Sequence, residues 1–519
     1  MAPSISPAPL PVGRVRTGKS ATYVTSSHRF LDLDKFEAAG SFALQCINPR
    51  PDSERGTGSR YSWAHSAFAY NVVVVMQGGA PPFKFELVSG PTGATCTAES
   101  PSWNPNLYLW GRVNWPSPSG TGTFRVRCID SEGSTKLIEW TCVQNNTKFR
   151  FLDASSGSDA NNGILVADGG TGPWQTMGAW KGANYADTTY QNLICVYRTG
   201  TYTVPAHTGV LLQLGPNKPL AHIRYPGEDP VWSMASARCQ TQSGIAGDWY
   251  FAIKTTGGPS ENNPRLFEFS DTSRRVVFDK PRFESPSAAL VADSNYGCIV
   301  FMSPSAANPH KYIAVVDPVA YDLQASGGAN GMTVFDFYRV NDGAVVGGQG
   351  RKCNGSATWW PKGPNTRLDL FGADLWDEVD NTVKRVKFFI GFANDLDATD
   401  TTGRLGYSRA YIADDAGNQA AVLCMGSPNH PYGPLYAFRL TLAGAVGFDG
   451  TSANAGINGT QSLTDSLIYC DLGTPIESGF SYTDCSVQAR SVMATDLTNG
   501  SVKNASAFYG VRGADVASA

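Results

Sequence analysis

The sequence predicts an all-β protein rich in turns. Of its 519 residues, 55 are Gly and 32 are Pro, and only 16% are charged. The long Ala, Leu, Glu and Lys runs that build helices are nearly absent. Short apolar runs recur instead, separated by Gly, Asn, Asp or Ser. The hydrophobic share of 42%, with 11% aromatic, can fill a core and excludes a disordered chain. The length has room for roughly two to four domains.

Composition also excludes several functions. A net charge of −3 lacks the basic surplus that neutralises phosphates, so no nucleic-acid partner is expected. Apolar runs such as "NVVVVM" (71–76) are far too short to cross a bilayer. The opening "MAPSISPAPLPV" has neither the basic nor the apolar region of a secretory signal. The 11 cysteines are odd in number, scattered, and contain no C-x-x-C pair. They are expected to be free and buried, with Cys128–Cys142 left open as a pair should neighbouring strands bring them together.

Residues 1–30 read as an extended arm. "SISPAPLP" favours polyproline geometry and cannot make its own core. The arm is therefore expected to lie against this protein or a neighbour in an assembly, with Arg14, Arg16 and Lys19 as a basic patch that docks to an acidic partner. "GRVRTGKS" (13–20) matches the phosphate-loop pattern, but that loop needs a strand before it and a helix after it. Prolines precede it and the β-branched "ATYVTSS" follows, so a nucleotide site is not expected.

Residues 31–147 read as a β-sandwich. A strand is predicted at 70–76, then a Gly-Gly-Ala-Pro-Pro turn, then a strand at 83–88. There Phe83, Phe85 and Leu87 alternate with Lys84 and Glu86, as a half-buried strand requires. "LYLWGRVNW" and "GTGTFRVRCIDSEGSTKLIEWTCV" continue the meander, with a hairpin turn at 130–134. The stretch 69–143 resembles immunoglobulin-like modules with a "GG-x-PPF-x-F-x-L-x-x-GP" core.

From residue 148 to 519 the pattern changes. "KFRFLDASSGSDANNG" (148–163), "GPWQTMGAW" (172–180), "NLICVYRTGTYTV" (192–204) and "KPLAHIRYPGEDPVW" (218–232) follow in order. Together they resemble the first coils of right-handed parallel β-helix proteins of the pectate-lyase-like type. Short apolar runs then recur roughly every 12 to 30 residues, as "RRVVFDKPRF", "KYIAVVDPVAY", "GAVVGG" and "LYAFRLTLAGAVGFDG". Buried parallel strands read this way, and solenoid coils share one continuous core. No strict repeat is visible, so the β-helix would be irregular. A jelly roll is the competing fold. Asp153, Asp159 and Asn161 could supply oxygen ligands to calcium, but a turn leading into the solenoid explains the run better. The acidic loop 392–403 reads the same way, so no metal or cofactor is expected.

No H-E-x-x-H, G-x-S-x-G or clustered histidines are present, which argues against zinc or serine hydrolases. The best chemical cluster is "TWWP" (358–361) followed by "DLFGADLWDEVDN" (369–381). Aromatics beside acids hold sugars, so Trp359, Trp360, Asp374, Asp377 and Glu378 are candidate glycan contacts. The competing reading packs the tryptophans in a loop and leaves the acids solvated. No catalytic motif of the family appears.

Arm, sandwich and β-helix together resemble bacteriophage virion surface proteins: tailspikes, tail fibres, head fibres and capsid decoration proteins. The resemblance implies a homotrimer on the virion surface, made in the bacterial cytoplasm. Residues 1–30 would bind other virion proteins, and the β-helix would contact a host-surface glycan. The alternative is a polysaccharide lyase or glycosidase acting on that glycan.

Overall fold

The computed structural model describes residues 14–17, 20–23, 43–55, 59–166, 171–181, 192–204, 211–214, 219–234, 238–241, 249–256, 265–270, 274–284, 297–302, 308–321, 333–351, 357–361, 366–377, 387–391 and 403–412, then short strands between 421 and 509. Strands dominate throughout, and the strands beyond residue 148 run parallel in long sheets. Near the N-terminus, Arg14–Thr17 pairs antiparallel with Ser20–Tyr23. The phosphate-loop pattern therefore spans two strands rather than a strand and a helix. Arg14 and Arg16 lie on the first of these strands, and Lys19 lies outside the described residues.

Residues 45–144 form two four-stranded sheets that share an aromatic core. Tyr70 and Trp140 both stack on Phe124, at 5.4 and 5.2 Å between centroids. The Trp140 indole donates to the Tyr70 hydroxyl at 3.0 Å. The predicted turn at 130–134 is fixed by Asp130, whose carboxylate accepts from the Glu132 and Ser134 amides. Phe83 and Phe85 are buried while Lys84 is exposed, so the alternation reports one dry and one wet face. Tyr70–Gln77 is buried along nearly its whole length. Tyr70 faces the aromatic core, and Gln77 on the opposite parity donates to the Gly343 carbonyl at 2.9 Å. A strand covered on both sides has no polar face to show, hence four consecutive valines.

The second cover is the solenoid. Three parallel sheets of 13, 12 and 9 strands are wound so that each strand pairs with its counterpart one coil on. That parallel ladder is a β-helix and excludes the jelly roll, whose strands run antiparallel. On the first sheet, Phe251, Phe278, Val315, Val345 and Leu370 stack in register and are buried. The alternate column, Ala221, Tyr250, Val277, Ala314, Ala344, Asp369 and Arg404, faces outward, yet it too is buried. The sandwich lies against it. Its apolar members join Val73, Val75 and Trp110 in one hydrophobic cluster.

Two repeated backbone features fit this union. Arg275, Tyr312, Asp342 and Arg367 all take left-handed φ, between 57 and 63°, at matching positions of four successive coils. A non-glycine residue there costs about 1–3 kcal/mol, and contacts with the sandwich or with each other offset it. Arg275 donates to the Glu54 carbonyl, and Arg50 sits 4.0 Å over the Tyr312 ring. Asp342 accepts from Gln45 and Arg367, each at 2.7 Å. The corner from first to second sheet likewise places Lys280, Asp317, Gly347, Gly372 and Tyr407 at positive φ.

At Gly347 a Cβ would lie 2.9 Å from the fully buried Trp110 ring. Gly347→Ala is expected to cost about 2–3 kcal/mol, combining left-handed strain with displacement of the indole. Gly227 also has positive φ but open space around it, so Gly227→Ala should cost only about 1 kcal/mol. Equal losses for the two in urea denaturation would mean that the indole contributes nothing.

The four opening elements of the solenoid form one network. Asp153 accepts from the amide and hydroxyl of Ser155 and Ser156 at 2.7–3.1 Å. Burial opposes its ionisation, but these bonds outweigh it and hold the carboxyl at about 2. Asp159 accepts from the Gln175 and Thr176 amides, and the Trp174 indole donates to the Asn161 carbonyl. The Tyr202 hydroxyl donates to the Leu152 carbonyl at 2.9 Å, and Glu228 binds Arg198 and the Thr199 amide. The acids are spent on the protein's own donors, and among the described residues no group of three metal-binding side chains occurs. The loop 392–403 lies largely outside the described residues. Among the described residues, Cys46, Cys96, Cys128, Cys195 and Cys239 are free cysteines. Cys128 pairs in register with Lys136 and Cys142 with Gly122, so the ladder keeps those two apart.

Candidate glycan-contact face

The predicted cluster is dispersed by the coil. Trp359 and Trp360 belong to a strand of the third sheet (Ala357–Pro361), and Asp374 and Asp377 to a strand of the second (Asp374–Asp377). Trp359 pairs in register with Phe335 on the neighbouring strand. Trp360 follows Asp336 in the neighbouring column. Asp377 pairs in register with Ile412, and Glu378 lies outside the described residues.

Asp374 is not a surface contact. It is 1% exposed and pairs with Arg351 and with Arg409, the latter at 2.6 Å. The Arg409 guanidinium sits 4.7 Å over the Trp103 ring, and the Trp103 indole donates to the Gly372 carbonyl at 2.8 Å. A sandwich loop thus seals the carboxylate beneath two arginines. Sequence reasoning missed Arg351, Arg409 and Trp103 because their meeting depends on pairing across some 270 residues.

The second sheet does offer a face. In its short strands the central residues Tyr202, Trp232, Thr255, Phe283, Ala320 and Leu375 are buried, so their neighbours point outward. One outward column runs Thr203, Ser233, Thr256, Glu284, Tyr321 and Arg351. Tyr321 is 41% exposed. Glu284 is held at 2.8 Å by both Lys254 and Arg282. Hydroxyls, a carboxylate, a phenol ring and a guanidinium therefore succeed one another at about 4.8 Å per strand.

That spacing decides what the face can do. Glu284 and Asp374 stand three strands apart in the ladder, about 14 Å at about 4.8 Å per strand. Two-acid glycosidases hold their carboxyls about 5–9.5 Å apart. Glu284 and Asp374 therefore do not form such a pair.

No protein-family model matches the chain, and no curated protein matches it. Among solved structures the chain is similar to a Yersinia enterocolitica family 28 exopolygalacturonase. That likeness has a TM-score of 0.32 and 10% identity, covering 91% of this chain and 97% of the other. At that score it carries nothing to the chemistry of the site.

Proposed function

We propose that the chain is a structural surface component of a bacteriophage particle, presenting the second-sheet face to a host-surface glycan without cleaving it. The supporting observation is that face: an exposed Tyr321 in an outward row of polar groups, whose Glu284 stands too far from Asp374 for two-acid hydrolysis. In this reading residues 1–30, including Arg14, Arg16 and Lys19, bind other virion proteins. The chain assembles as a homotrimer in the host cytoplasm and stays on the virion surface. The first-sheet face is already taken by the sandwich, which makes the two parts one stiff body suited to projection.

The test is retention of the full chain on immobilised host lipopolysaccharide or capsule, followed by sizing of the sugar. Retention with sugar of unchanged length is expected, and Tyr321→Ala should weaken it about three- to tenfold through loss of ring contact. Shortened sugar chains would replace this reading by the lyase or glycosidase one.

A further inference from the structure

The outward rows of the second sheet are unevenly charged. Beside the row that holds Tyr321, the other outward row runs Thr201, Val231, Lys254, Arg282, Val319 and Gln349. In these two rows Glu284 is the one acid, against Lys254, Arg282 and Arg351. Lys254 and Arg282 are direct register neighbours, about 4.8 Å apart along the ladder. Like charges so placed repel, and one carboxylate answers both. Glu284 meets the Lys254 Nζ and the Arg282 Nε at 2.8 Å each. Two cations and one carboxylate leave the trio with a single formal positive charge.

That charge reaches solvent at Arg282. The Lys254 side chain is 19% exposed, whereas that of Arg282 is 51% exposed. A guanidinium carries five donors, and a contact through Nε takes only part of them. Next to this cation the ladder places carbon rather than charge. Val319 pairs in register with Arg282, and Tyr321, two residues on, is 41% exposed. Arg282 and Tyr321 lie about 8 Å apart, from about 4.8 Å between strands and 3.3 Å per residue. The chain as a whole carries a net charge of −3, so its overall field does not gather anions. A preference for an acidic ligand would have to arise at such a local spot.

We propose that the glycan met by the second-sheet face is acidic. Its carboxylate bonds to Arg282, and the ring of the same or the adjoining sugar unit lies on Tyr321. The planar guanidinium fork matches a carboxylate in two-point contact, while the exposed ring supplies a flat apolar surface. This inference rests on the surface-contact reading above and adds a charge preference to it.

Calorimetric titration of the full chain with an alginate oligosaccharide, and with the same oligosaccharide methyl-esterified, tests it. The ester keeps the rings and loses the charge. At low salt the acid form should bind about fivefold more tightly than the ester, which is what one exposed ion pair can supply, and high salt should shrink the difference. Arg282→Gln should abolish it, and an unchanged Tm checks that the variant is folded. Should that variant fail to fold, Arg282→Lys, which keeps the charge and loses the fork, should still reduce the difference about twofold. Arg125 on the sandwich has similar exposure, 45%, and a carboxylate partner in Glu139, so Arg125→Gln should leave the difference intact. Equal binding of acid and ester, or no binding of the acid, overturns the proposal. An equal effect of Arg125→Gln overturns it too, since overall charge would then be the cause. Tyr321→Ala should weaken acid and ester alike. Retention on host lipopolysaccharide or capsule together with equal binding of acid and ester would remove this inference and leave the surface-contact reading standing, so the two failures are told apart.

Discussion

Asp369→Ala is expected to destabilise the protein by about 3–5 kcal/mol, because it strands a buried guanidinium. Asp369 and Arg404 are each 1% exposed and meet as a two-point fork, at 2.7 and 2.6 Å. They sit on the outward column of the first sheet, directly beneath the sandwich. The Gly78 amide donates to Asp369 at 2.9 Å, and Arg404 donates to the Gly79 carbonyl at 2.7 Å. One ion pair thus ties a sandwich turn to two successive coils. Removing both charges, as Asp369→Ala with Arg404→Met, should recover at least about 1 kcal/mol of the loss, since no uncompensated charge is left. Recovery cannot be complete, because the Gly78 amide and Gly79 carbonyl lose their partners at about 1–3 kcal/mol each. Urea denaturation of the three proteins reads this directly. A double variant no more stable than Asp369→Ala would mean that charge burial is not what holds the junction.

How much of this was legible in the sequence depends on the range over which each feature is determined. The opening of the solenoid was legible because its elements bond to one another. Asp153 caps its own turn, Trp174 reaches Asn161, and Tyr202 reaches Leu152. The alternation around Phe83 and Phe85 was legible because one side of that strand meets water. The valine run in Tyr70–Gln77 announced a strand but not its second cover, which comes from residues about 270 further on.

The candidate site was less legible for the same reason. Exposed aromatics beside acids is a sound pattern for sugar contact, but it was applied to residues adjacent in sequence. A coil sends neighbours to different faces and brings residues about 20–40 positions apart into one row. Trp359 and Asp374 part in this way, whereas Glu284, Tyr321 and Arg351 come together. The burial of Asp374 needs Trp103, some 270 residues away, and so has no local signature.

Acidification from pH 6.5 to 4 is expected to remove about 5–6 kcal/mol of stability through two buried histidines. His222 is 1% exposed and His310 is 0% exposed. His222 lies between Trp232 and Phe251, at 4.9 and 5.6 Å between centroids, and shares a 2.9 Å hydrogen bond with the Tyr197 hydroxyl. Burial pushes its pKa down to about 3, against the pull of the Pro219 backbone. His310 packs on Phe301 at 5.2 Å, and burial lowers it to about 4 against the Met302 backbone. In the unfolded chain both return to about 6.5. The unfolded state therefore binds more protons as pH falls below 6.5. Each histidine takes away about 1.4 kcal/mol per pH unit, down to about pH 4 for His310 and about 3 for His222. The loss is comparable with the whole stability of an ordinary domain, about 5–15 kcal/mol, and it acts before the paired carboxylates respond. Asp279, where burial is outweighed by Arg112 and which is held at about 2, loses its contribution only below about pH 4, as pH falls towards 2. The slope of unfolding free energy between pH 6 and 4.5 separates the two causes. It should approach about 2.7 kcal/mol per unit and fall by about half in His222→Gln, whereas an unchanged slope in that variant would assign the acid response to other groups.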